Sequence, residues 1–108
     1  MSKPHAFQLS YTVSPIDSRY ESDAASARSY LREQMGWKTT DKIETTLLGE
    51  LDLGPGTLEE KRKEAGRLVR ACIRDAFKTL EVHKTVGFAG SLLVSGLAPA
   101  INISISPD

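Results

Sequence analysis

The chain has 108 residues, and its 14 Lys and Arg balance 14 Asp and Glu to a formal net charge of zero. That length suits one domain with one core, residues 1–108, and a composition of 40% hydrophobic and 26% charged residues excludes the disordered, collagen-like and coiled-coil classes. Neutral charge removes the simplest electrostatic case for nucleic acid or an anionic membrane as partner. A single cysteine excludes an internal disulfide, and two histidines far apart in sequence offer no zinc-ligand spacing.

Residues 7–14 alternate Phe7, Leu9, Tyr11 and Val13 with Gln8, Ser10, Thr12 and Ser14, the period of a half-buried strand. Pro15 ends it, and an aperiodic loop of about seven residues follows. A helix is expected over 24–35, with Ser22 or Asp23 as N-cap and Gly36 as the residue beyond its C-terminus. Ala27, Tyr30, Leu31, Gln34 and Met35 form its narrow buried stripe. Residues 37–53 are extended and too long for one strand, so they divide into a short strand from Trp37, a turn near Asp41 and Lys42, and a longer strand from Ile43.

After Leu-Gly-Pro-Gly, Thr57 and Glu60 stand at capping-box spacing, where each side chain can satisfy the other's backbone amide. The helix that opens there is expected to run about 24 residues, with Leu58, Ala65, Leu68, Val69, Cys72, Ile73, Ala76, Phe77 and Leu80 facing the sheet. Residues 85–107 carry no charge. A buried strand over 91–97, a turn at Ala98 and Pro99, and a half-buried strand on Ile101, Ile103 and Ile105 complete the chain. The order is β-α-β-β-α-β with one added C-terminal strand, an α+β, ferredoxin-like plan with two helices on one face of an antiparallel sheet.

Lys63, Arg67, Arg70, Arg74 and Lys78 step by three or four residues and line up opposite the apolar face of the long helix. Such a row can track a polyanion or an acidic partner. The alternative is a solvated face whose cations pair with Glu59, Glu60, Glu64 and Asp75, and no aromatic residue on the row offers base stacking. Cys72 reads as a buried, inert small hydrophobe. The 54–57 loop reads as a plain turn before a helix, without the lysine or spacing of a phosphate-binding loop. His5 and His83 stand alone, and Asp17, Arg19 and Tyr20 form the one small cluster of reactive types outside regular structure.

The segments 9–13 (Leu-Ser-Tyr-Thr-Val), 43–48 (Ile-Glu-Thr-Thr-Leu-Leu) and 91–97 (Ser-Leu-Leu-Val-Ser-Gly-Leu), with Trp37 ahead of the second, resemble the strands of small ferredoxin-like proteins related to the CRISPR-adaptation endonuclease family. The resemblance implies a symmetric dimer with a metal-binding carboxylate at the end of the first strand. The matching position here is Thr12, which lacks the carboxylate a hard cation takes.

These readings favour a non-catalytic interaction or regulatory module over an enzyme, with no cofactor and no metal site. It is expected to act as a homo-oligomer that pairs sheets or edge strands, with a protein partner. The alternative function is a nucleic-acid-associated protein that uses the basic row, with residual metal-dependent nuclease activity as its extreme form. No window approaches the roughly 18 apolar residues of a membrane helix, and the first residues lack a signal-peptide core, so a cytoplasmic protein without membrane contact is expected.

Overall fold

In the computed structural model, residues 3–35, 37–39 and 46–107 are described. Strand β1 spans Lys3–Pro15 and a 3-10 turn spans Ser18–Tyr20, followed by helix α1 at Glu21–Glu33. Strands β2 (Lys38–Thr39) and β3 (Thr46–Leu53), helix α2 (Leu58–Thr79), and strands β4 (Val86–Val94) and β5 (Ile101–Ile105) complete the order. All pairings are antiparallel, and the strands lie in the order β2-β3-β1-β4-β5. The class is α+β.

The period of two in β1 is honoured throughout: Phe7, Leu9, Tyr11 and Val13 are buried, while Gln8, Ser10, Thr12 and Ser14 are exposed. In register with the buried set lie Val94, Leu92, Gly90 and Phe88 of β4. Ala24, Ala27 and Leu31 of α1 and Ala65, Val69, Ile73, Ala76 and Phe77 of α2 join the same hydrophobic cluster. Tyr11 stacks on Phe88 at 5.7 Å, and Phe77 meets Phe88 edge-on at 6.4 Å. Arg28 anchors α1 to the end of β1 through the Val13 carbonyl at 2.9 Å. The Thr85 hydroxyl donates to Asp23 at 2.7 Å, tying α1 to the start of β4.

Several expected boundaries shift for identifiable reasons. β1 is longer than 7–14 because both neighbours pair along it. The loop after it shrinks to a 3-10 turn capped by Asp17, so α1 starts at Glu21 behind Tyr20, which makes no side-chain cap; neither Ser22 nor Asp23 is the N-cap. Gln34 is exposed, and Tyr30 and Met35 are half-buried.

β4 begins at Val86 rather than at residue 91 and alternates rather than being buried on both faces. Gly87 and Gly90 lie inside it as part of the ladder. At Gly90 a Cβ would come within 3.0 Å of the Ser10 carbonyl oxygen, so close backbone approach calls for glycine there. The short strand after Trp37 is only Lys38–Thr39. The Gly36 cap, the turn at Asp41 and Lys42, and the strand start at Ile43 lie outside the described residues.

α2 keeps its capping box, with the Thr57 hydroxyl accepting from the Glu60 amide at 3.1 Å and Glu60 accepting from the Thr57 amide at 3.3 Å. Its buried arc is rotated from the expected one. Gly66 is buried against Ile101 and Ile103, whose side chains lie 3.5 and 3.7 Å from where its Cβ would be. Cys72 is therefore exposed, Leu68 and Leu80 are half-buried, and Leu58 at the helix start is 65% exposed. The rotation follows from β5: the helix leans its glycine flank onto the added strand.

Candidate functional site

α2 and β5 run side by side in the same direction. At one end Arg62 donates to the Leu97 carbonyl at 2.6 Å and to that of Pro99. In the middle Gly66 faces Ile101 and Ile103. At the other end Arg74 and Lys78 share a small cavity with Ile105 and Ser106. A helix rising about 1.5 Å per residue from Arg62 to Lys78 covers about 24 Å, the same length that a strand rising about 3.3 Å per residue needs from Pro99 to Ser106.

The five cations of the sequence reading stay together on this helix, but not diametrically opposite the buried arc. Lys63 lines a groove with Ile101 at the start of β5, and Arg74 and Lys78 stand beside its end, so the row follows the flank nearest β5. Arg70 is half-buried, and Lys63, Arg67, Arg74 and Lys78 are exposed. Most of the expected carboxylate pairing is absent. Lys63 approaches Glu59 at 4.0 Å with both side chains exposed, a contact of little energy. Glu60 is occupied in the capping box and Glu64 accepts from the Gly54 amide at 2.9 Å. Among the described residues, Arg67, Arg70, Arg74 and Lys78 have no carboxylate within 4.0 Å. His83 also lines the cavity beside Arg74 and Lys78, and its buried Nδ1 has no hydrogen-bond partner among the described residues.

The other candidates are locally satisfied. Arg19 pairs with Asp17 at 2.8 Å and lies 5.3 Å from the centre of the Tyr20 ring. The Arg19 side chain, and then its backbone amide, hold the Asp17 carboxyl below its ordinary value. The cluster therefore builds a turn. The Gly54 and Thr57 amides are taken by Glu64 and Glu60, and His5 contacts the Ser95 carbonyl through Nδ1 at 3.2 Å. At Cys72, desolvation and, secondarily, the Asp75 carboxylate push the thiol up. The thiol is thus accessible, not buried as expected, and is held towards its protonated form. Among the described residues, no three His, Cys, Asp or Glu side chains converge as a metal site would require.

Two surfaces were only partly legible in the sequence. β5 ends the sheet order, and no described strand pairs with its outer side. The face of the sheet opposite the core carries rows such as Thr46-Ser10-Ser91-Asn102 and Thr12-Ala89-Ser104 in register; these rows are exposed from β1 to β5, while Thr46 on β3 is buried. Ser10 and Thr46 hydroxyls meet at 3.5 Å, and Leu93 is 48% exposed. Charges on the described part of this face stay at the β2–β3 margin, at Lys38, Glu50 and Asp52. The signal was the uncharged run of residues 85–107, whose strands supply Ser91 and Asn102 to the first row and Ala89 and Ser104 to the second. No helix among the described residues is long and apolar enough to cross a membrane. Comparisons with protein-family models, with curated proteins and with solved structures give no match for this chain.

Proposed function

We propose that the chain is a non-catalytic interaction module that works as a homodimer, with the open faces of two sheets packed together. The observation that carries this is the chemistry of the face. From β1 to β5 it presents small uncharged side chains, Ser10, Thr12, Ala89, Ser91, Asn102 and Ser104, around the exposed Leu93. A two-fold copy of such a face meets no like charge across its centre, and sheets pack face to face at about 10 Å when their side chains interdigitate. Strands spaced about 4.8 Å apart and rising about 3.3 Å per residue give β1, β4 and β5 together on the order of 400 Å² in projection, and all five strands on the order of 600 Å². That is comparable with the roughly 800 Å² each partner contributes to a standard interface.

A ferredoxin-like plan suits this role. The order β2-β3-β1-β4, the antiparallel pairing and the helices that join β1 to β2 and β3 to β4 support it. So does the single hydrophobic cluster shared by both helices and the odd-numbered residues of β1. It leaves one face of the sheet free for a second copy.

The test is sedimentation or light scattering of the full chain with Leu93→Glu and Ala89→Glu variants. A dimer at micromolar concentration that becomes a monomer in the variants, with unchanged circular dichroism, is the expected result. A wild-type monomer at high micromolar concentration overturns the proposal.

A further inference from the structure

We infer that the outer edge of β5, flanked by the cation row of α2, is a docking groove for an extended acidic peptide segment of another protein, which adds to the sheet as a further strand. The inference concerns a surface separate from the open face and does not depend on the homodimer.

Two observations meet at this edge. β5 is the last strand in the sheet order, so its outward amides and carbonyls have no strand partner among the described residues. Natural sheets usually protect such an edge with an inward charge, a proline or a bulge; Ile101, Asn102, Ile103, Ser104 and Ile105 carry none of these chemistries. Beside the edge, α2 holds Arg67, Arg70, Arg74 and Lys78 without a carboxylate partner. His83 lines the cavity with Arg74 and Lys78, and its buried Nδ1 has no hydrogen-bond partner among the described residues.

The spacing favours a strand as the occupant. Cations three or four residues apart on a helix recur about every 4.5 to 6 Å, and alternate side chains of a strand recur about every 6.6 Å. A segment that alternates Glu or Asp with other residues thus offers one carboxylate per cation along the length of β5. Its other side chains continue the open polar face. Main-chain bonds supply affinity and the helix-side carboxylates supply selectivity, the division of labour seen when peptides add to sheet edges. A second copy of the chain fits this edge poorly, because two-fold pairing of β5 strands would set one cation row beside another. A nucleic acid would use the cations but leave the edge amides and carbonyls unsatisfied, and the row has no aromatic side chain on which bases could stack.

The experiment measures fluorescence anisotropy of a labelled octapeptide of alternating Glu and Thr with the full chain at low ionic strength. Binding is expected to weaken at least tenfold for a peptide N-methylated at alternate residues, which keeps its charge but loses main-chain donors. A similar loss is expected for the Arg67→Glu, Arg70→Glu, Arg74→Glu variant with its circular dichroism intact, and the corresponding Lys-Thr peptide should not bind. Equal binding of the N-methylated peptide by the wild-type chain overturns strand addition even if the variant fails to fold. Tighter binding of a labelled oligothymidylate than of the peptide assigns the row to nucleic acid and overturns the inference. No detectable peptide binding also overturns it.

Discussion

Leu9 and Ser10 are consecutive residues of β1, yet one is fully buried under the helices and the other lies on the open side of the sheet. The two faces differ in more than polarity. On the covered face large side chains interlock around Leu9, Tyr11, Phe77 and Phe88, so each shape matters to its neighbours. From β1 to β5 the open face carries mostly small uncharged side chains, and few of them have a hydrogen-bond partner among the described residues. Stability therefore resides on one face, while the other is free to serve recognition.

The largest effect that tests this contrast is Leu9→Ala, expected to cost about 2 to 5 kcal/mol as a truncation in a packed core, against less than about 0.5 kcal/mol for Thr12→Ala on the open face. Denaturant midpoints of the two variants measure it, and similar losses would break the distinction. Gly49→Ala tests the covered face from the opposite direction. Its added Cβ would fall 2.7 Å from the Phe7 ring and 2.8 Å from Trp37, which meet edge to face at 5.3 Å, and overpacking of this kind costs about 1 to 3 kcal/mol. An unchanged thermal midpoint would show that the rings yield freely.

Thr57→Ala removes half of the capping box without touching either face, with an expected loss of about 1 kcal/mol; a larger loss would mean that the helix start matters more than its packing. The smallest effect concerns Cys72, one residue from the buried Ile73 but outside the buried arc. Its thiol titrates above the ordinary value in the folded chain, so the contribution is intact below the unfolded pKa and is lost as pH rises through the raised folded value. Stability should fall slightly on the alkaline side, and Cys72→Ser should remove that fall. Native labelling by a small maleimide should proceed, with a pH midpoint higher than that of a peptide thiol; a thiol wholly shielded from the reagent would restore the buried reading.

The cation row shows how far local pattern reaches. Residue spacing alone places Lys63, Arg67, Arg70, Arg74 and Lys78 together on α2, because helical periodicity is a property of the backbone. It does not say which flank of the helix they occupy. That depended on β5 pressing against Gly66, which turned Cys72 and Leu68 outward and brought the row beside a sheet edge. Glu60 and Glu64 were plausible partners for the row by spacing. Their engagement with the Thr57 and Gly54 amides depended on how the preceding loop closes.

From the sequence alone came the α+β class, the buried alternation of β1 and β5, and the start of α2, since each rests on contacts within a few residues or on a periodicity of two or 3.6. Tertiary structure alone decided the extent of β4, where glycines sit in close contact with a neighbouring strand instead of ending the ladder. It also decided the rotation of α2, and the open face and free edge. Those features depend on which distant segments meet, and free energy from long-range packing overrides the local preferences of Gly, Cys and Ser wherever the two compete.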